Sequence, residues 1–461
     1  MQQILAIAGL SWKAAFRYRL FWVIAALLVC AVVGLPLLIK DDGTAEGFAQ
    51  ILLTYTLSAV TGLLGLCTLW LACGTLARDF EECQIQMVAV KPIARWQIWL
   101  GKWLGILSLN AVLLAFSGLA IYGMLQYRAR SLPAAEREKL ENVVLVARAS
   151  AREESQEPLI RQETERRFKE RMEKGRVEEA NPSAVRQQIY EQCKAELQVV
   201  APGASRVWKI HLGAAKDYLK DQPLFLRVKF NTPQIYNATA TYKAAWIIGT
   251  PKKTSIWREN AMLSPDSFHE LVIPPNLLDD NGDLLILFGN PNDNSLLFTL
   301  DEGLEVLYKQ GGFGGNFARA LCIILCWMAL LAALGLAAAS LLSFPVAAFF
   351  SLALLVISLC GSTMGDAVST GTIMGWDSEK GVAGHSPVDI VIIPLFRAML
   401  SLINLVQQYS PVQSLTEGRS ITWTQLGLAA GQIVFLLSGI LAVTGIVIFN
   451  RRELATAQGA H

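Results

Sequence analysis

The sequence predicts an α-helical membrane protein of six spans, with an extracytoplasmic insert of charged helices plus an antiparallel β-sandwich. Three observations predict this class. The 461 residues are 53% hydrophobic with a mean hydropathy of +0.39, yet 17% are charged. Those values fit a chain whose charges are kept apart from its apolar runs. Apolar runs of spanning length recur at both ends of the chain, and between them residues 127–316 turn polar and then alternate. The formal net charge of only +2 gives no basis for a nucleic-acid partner.

A bilayer core takes roughly 20 apolar residues as helix. Residues 20–39, 51–76 and 103–125 supply three such runs. Residues 317–342, 345–360 and 426–449 supply three more. The weaker run 390–406 contains Pro394 and Arg397, and is read as an interfacial or re-entrant helix. Basic residues set the orientation. Lys13, Arg17 and Arg19 precede the first run, Arg78, Lys91, Arg95 and Lys102 lie between the second and third, and Arg451-Arg452 follow the sixth. Six spans place all of these, and both termini, on the cytoplasmic side. Before the first run, Ile4, Ile7, Ala8, Trp12 and Phe16 recur near helical spacing, which predicts an amphipathic helix in the inner interface. That run is too long for a signal peptide, and Lys40-Asp41-Asp42 stand where small residues would mark cleavage.

Four regions follow: an N-terminal membrane half over 1–126, charged helices over 127–205, a sandwich over 206–316, and a C-terminal membrane half over 317–461. In the second, Pro133, Pro158 and Pro182 punctuate three helices, and Val185, Ile189, Cys193 and Leu197 form an i, i+4 stripe that needs a packing partner. In the third, strand-like runs are expected at 207–212, 224–230, 238–248, 270–273, 284–288 and 296–300, with a hairpin turn at Asp280-Asn281-Gly282. The aspartates near that turn fit turn chemistry better than a calcium loop. Gly311-Gly312-Phe313-Gly314-Gly315 reads as a connector into the fourth run.

No catalytic constellation emerges. The sequence has no GxxxxGK[ST], no HExxH, no GxSxG and no paired Cys/His site. The eight cysteines lie mostly in apolar runs and read as packing residues. Ionisable residues are scarce within the runs, which argues against an ion-coupled transporter. The chain is read as a non-enzyme without metal or cofactor.

The segment 76–102 stands out: a polar passage between two long apolar runs, opened by Glu81-Glu82, broken by Lys91-Pro92, restarted by Arg95-Trp96 and closed by Gly101-Lys102. A helix of about 78–92 ending at Pro92 is expected. With the basic N-terminal helix, the polar 361–425 stretch and the ending Phe449-Asn450-Arg451-Arg452-Glu453-Leu454, this passage resembles the permease subunits of type-2 ABC exporters. The likeness is to the branch that includes gliding-motility and copper-enzyme-maturation permeases. It covers both membrane halves and not the insert, and Cys83-Gln84-Ile85-Gln86 departs from the Gly-Thr common in the family. The resemblance implies a permease in a bacterial inner membrane, coupling a cytosolic ATP-binding-cassette ATPase, which holds the ATP and Mg, to export or to force on an outer assembly. It implies that Arg78, Asp79, Phe80, Glu81, Glu82, Met87, Lys91, Pro92 and Arg95 dock the ATPase, that 390–406 gates the outer side, and that two copies form a homodimer. The alternative is a membrane-anchored receptor or scaffold whose sandwich binds a glycan or protein. A glycan, lipid or protein substrate is compatible with the insert.

Overall fold

The computed structural model describes residues 2–17, 19–38, 44–81, 93–140, 144–173, 182–219, 221–232, 241–249, 256–300, 302–373, 376–377, 382–383 and 388–452. The chain divides into two compact units, one of Met1–Ala147 with Gly312–His461 and one of Arg148–Gly311. In chain order the helices are α1 (Gln2–Arg17), α2 (Arg19–Val29), α3 (Leu35–Leu38), α4 (Ala45–Glu81), α5 (Arg95–Ala129), α6 (Ala134–Lys139), α7 (Glu157–Glu173), α8 (Pro182–Gln198) and α9 (Lys216–Leu219). After the strands come α10 (Phe313–Leu341), α11 (Phe344–Leu359), α12 (Gly361–Thr370), α13 (Asp389–Gln407), α14 (Pro411–Thr416), α15 (Trp423–Ala429) and α16 (Ser438–Arg451). π-helical turns join α2 to α3 over Cys30–Gly34, and α15 to α16 over Ala430–Leu437.

In the helical unit, five helices among the described residues are long and apolar enough to cross a membrane. They are α4, α5, α10, α13 and the continuous α15–α16. A sixth is obtained if α11 and α12, bent by 59° at their junction, count as one. The membership differs from the sequence reading. Of the first run, Trp22–Leu38 forms an apolar helix of fewer than 18 residues, within helical residues Arg19–Leu38, and is not counted among the five. The run at 390–406 instead reaches spanning length, because Pro394 sits inside an unbroken helix. The broken element is the fifth run, at Cys360.

Helix α4 has 37 residues and α5 has 35. Each is roughly 55 Å long, well beyond the ~30 Å of a hydrocarbon core. Their polar ends therefore extend past their apolar middles. Small residues bring the helices together: a Cβ on Gly335 of α10 would lie 2.6 Å from the Cβ of Ala72 on α4. Backbones approach closely wherever side chains are this small.

Among the described residues the inserted unit has ten strands in chain order: β1 (Val146–Ala151), β2 (Val199–Val200), β3 (Ser205–His211), β4 (Leu224–Val228), β5 (Tyr242–Ile248), β6 (Trp257–Leu263), β7 (His269–Ile273), β8 (Asp283–Gly289), β9 (Leu296–Leu297) and β10 (Leu304–Gly312). Two four-stranded sheets, ordered β1-β10-β4-β7 and β3-β8-β5-β6, share one core. Strand alternation explains that core. Trp208, Ile210, Trp246, Ile286 and Phe288 come from one sheet, and Leu226, Val228, Ile273 and Val306 from the other. Trp246 and Phe288 pack tilted at 45° with centroids 4.8 Å apart, and Phe298 packs edge-on to Phe288 at 4.9 Å. Helices α7 and α8 bury Ile160, Phe168, Ile189 and Cys193 between them, which gives the predicted stripe its partner.

The Asp279–Asp283 turn is held by its own acids. The Asp279 carboxylate accepts from the N–H groups of Asn281 (2.9 Å) and Asp283 (2.7 Å), and Gly282 takes φ +80°. Buried Asp283 in turn accepts from Lys209 Nζ at 2.8 Å and lies 2.6 Å from His211 Nδ1. These two hold its carboxyl below the ordinary carboxylate range.

Two outcomes are expected. Phe288→Ala should weaken the sandwich by about 3–5 kcal/mol, read as faster proteolysis within the inserted unit of the full chain. Ionised Asp283 should stabilise the unit fully above the unfolded carboxylate value of about 4, with that contribution lost as pH falls through the lower folded value. Acid unfolding followed by tryptophan fluorescence should show this limb in wild type and lack it in Asp283→Asn.

Candidate functional site

The ends of α4, α5, α10, α11 and α16 meet in one charged and aromatic cluster. Its logic starts from the orphaned backbone groups of helix termini. The last carbonyls and first N–H groups of a helix have no partner within it. Here charged side chains from other segments supply the partners. Arg95, the first residue of α5, donates to the carbonyls of Phe449 (2.9 Å), Asn450 (2.8 Å) and Arg452 (3.1 Å) at the end of α16. Arg452 donates to Ser340 O (3.1 Å) and Ala339 O (3.4 Å) at the end of α10. Glu81, the last residue of α4, accepts from the N–H of Phe344 at the start of α11 at 2.9 Å. Cations thus sit at helix C-termini and an anion at an N-terminus, as the helix dipole favours.

Beside these caps lies a buried ion pair. Lys102 of α5 is 8% exposed. Its ammonium lies 2.6 Å from Asp79 Oδ2 and donates to Thr75 O at 2.7 Å. A buried ammonium requires such partners. Aromatic rings fill the remaining space. Phe80 meets Phe449 edge-on at 5.5 Å, and the Arg452 guanidinium covers Phe80 at 4.1 Å. Arg78 lies over Phe344 at 4.6 Å, and Trp70 meets the same ring edge-on at 5.1 Å. Trp99 is fully buried against Gly445, where an added Cβ would come within 2.9 Å of the indole nitrogen.

Helix α1 packs along α5 through a second device. A Cβ on Gly101 would fall 2.7 Å from Ile7 Cβ, and one on Gly105 would fall 2.7 Å from Ser11 Cβ. Gly101 and Gly105 form a small-xxx-small pair. Trp12 Nε1 donates to Ser108 Oγ at 2.8 Å. The buried face of α1 is Ile7, Ser11 and Ala15, while Leu5, Leu10 and Phe16 are exposed.

The structure brings together Arg78, Asp79, Phe80, Glu81 and Arg95 from the sequence-predicted set. Glu82, Met87, Lys91 and Pro92 lie outside the described residues, as do Glu453 and Leu454. The expected separate helix over 78–92 is corrected in its described part. Nothing breaks the helix before Glu81, so Arg78–Glu81 is the last turn of α4. Those side chains reach neighbouring helices, and Glu81 is also exposed. Sequence reasoning missed Arg452 as a helix cap and Gly105 as a close-contact residue. The Gly101–Gly105 spacing was a readable signal for the second; the first needed the fold.

Among the described residues no group of three or more His, Cys, Asp or Glu side chains is placed to hold a metal ion. Comparisons with protein-family models, curated proteins and solved structures find no match to this chain.

Removing one partner of the buried pair should cost about 3 kcal/mol, because the other charge is left uncompensated. Asp79→Asn should therefore lower the melting temperature of the detergent-solubilised chain, and Asp79→Asn with Lys102→Met should recover most of the loss. Gly105→Val should detach α1 from α5, read as loss of an engineered cysteine crosslink between the two helices.

Proposed function

We propose that this chain is the membrane-spanning permease subunit of an ATP-binding-cassette transporter in a bacterial cytoplasmic membrane. A separate cytosolic ATPase, carrying ATP and Mg, supplies the energy, and two copies of the chain form the working dimer. The inserted unit lies outside the cytoplasm and handles a glycan, lipid or protein, or transmits force to an outer assembly. The single observation that supports this reading is the helix-end cluster. Helix α4 reaches Glu81 and α5 begins at Arg95, on either side of residues 82–92, and both of these ends are fastened to the cluster. A push delivered by a partner to 82–92 would reach α4, α5, α10, α11 and α16 together. On this reading Met87 and Glu82 contact the partner, while Arg78, Asp79, Phe80, Glu81 and Arg95 carry the motion inward.

The test is co-purification. Tagged wild-type chain solubilised from native membranes should carry an ATP-hydrolysing subunit. Glu82→Lys with Met87→Asp should reduce that subunit at least tenfold with unchanged membrane insertion. Wild-type preparations without an ATPase, or a variant that retains it fully, would overturn the proposal.

A further inference from the structure

The sheet β3-β8-β5-β6 ends at β3. Its register fixes where the backbone of β3 points. At the two ends of the β3–β8 ladder, Asn290 N donates to Ala204 O (3.0 Å) and Leu212 N donates to Gly282 O (2.9 Å). Between them Arg206 faces Phe288, Trp208 faces Ile286 and Ile210 faces Leu284. The even-numbered residues therefore turn their N–H and C=O groups toward β8. Val207 and Lys209 turn theirs to the opposite side, where no backbone partner lies among the described residues. Trp208 and Ile210 are buried in the core, so the strand is anchored on one side and open on the other.

Two depressions run along this open edge. One, of about 420 Å³, is lined by Lys209, His211, Glu153 and Glu154 among others. The other, of about 310 Å³, is lined by Val207, Leu197 and Val199 among others. They share Glu153 and Gln156 and so form one groove. Its two ends differ chemically. Val207 is 53% exposed, and Leu197 and Val199 are each 39% exposed. At the other end the Lys209 ammonium is already held by Asp283, whereas Glu154 is exposed and makes no hydrogen bond among the described residues.

We propose that the open edge of β3 is a docking site for an extended peptide segment with alternating apolar and basic side chains. The peptide adds as a further strand beside β3. Its main chain meets the N–H and C=O groups of Val207 and Lys209, and an edge strand is a ready template for such pairing. Its apolar side chains rest on Leu197, Val199 and Val207, and its basic ones face Glu154, Glu153 being held by Arg206 at 3.6 Å. Charge complementarity selects the basic partner. A second copy of β3 offers Glu154 no available cation, because its Lys209 is engaged within its own sheet. The proposal rests on the inserted unit alone and is independent of the transport reading.

The test uses the full chain in lipid nanodiscs and fluorescence anisotropy. The probe is a labelled nine-residue peptide alternating lysine and valine. Its controls are a glutamate–valine peptide and a lysine–valine peptide N-methylated at alternate amides. Val207→Pro removes an outward N–H and leaves the β8 ladder intact, a position where a strand tolerates proline. Glu154→Lys reverses the wall charge. The lysine–valine peptide should bind in the micromolar range, and N-methylation, Val207→Pro and Glu154→Lys should each weaken it at least tenfold. N-methylation tests pairing even if Val207→Pro disturbs the fold. Absence of binding overturns the proposal, as does binding that survives N-methylation or equal binding of the glutamate peptide. Self-association of the chain that Val207→Pro abolishes, with no peptide binding, assigns the edge to a second copy and also overturns it.

Discussion

The unmet hydrogen-bonding groups at helix termini are the constraint on which the helical unit depends. Three termini in this chain, the ends of α16 and α10 and the start of α11, come together and are answered by Arg95, Arg452 and Glu81. Each side chain sits at the end of one helix and caps the end of another. A displacement of one end therefore removes the partners of the next. The Asp79–Lys102 pair adds a buried contact between α4 and α5 that has few alternative geometries. Phe80, Phe344 and Phe449 fill the space between the charges, so the cluster combines directional bonds with packed rings.

That construction changes what the polar passage between α4 and α5 means. A segment made only to reverse direction does not need its flanks fastened to two other helices, α11 and α16. Both flanks of 82–92 are so fastened. On the proposed transport reading, the residues that move the helices differ from those that touch the partner, and Asp79, Phe80 and Arg95 reach neighbouring helices. The π-helical turns at Cys30–Gly34 and Ala430–Leu437 each lie inside an apolar helical stretch. Such turns interrupt regular hydrogen bonding and mark places where a helix yields.

The long apolar helices and most strands were legible in sequence because periodicity reports burial directly. Residues 207–212, 224–230, 270–273 and 284–288 correspond closely to β3, β4, β7 and β8. Strand β1 was hidden in a charge-rich stretch, because Arg148 and Arg152 pair with Glu270 and Glu305 on other strands rather than with water. Strand β10 was hidden by its terminal glycines: Gly311 and Gly312 end a strand, and Phe313 begins α10 with no connector between them. The prolines at 133, 158 and 182 marked helix beginnings, where a missing N–H costs nothing. In the helix-end cluster, the residue types were visible as Arg95, Lys102 and Arg452, but their partners are backbone carbonyls remote in sequence. Composition and spacing carry no record of those.

On the proposed transport reading, the helix-end cluster couples residues 82–92 to the helices beyond them. Spin labels near residue 88 and at the far end of α10 follow the distance between them by electron–electron resonance as nucleotide is added to the chain assembled with the ATPase proposed above. A nucleotide-dependent shift at α10 is expected in wild type and is abolished in Arg95→Ala while the ATPase stays bound. An undiminished shift in Arg95→Ala would contradict this coupling.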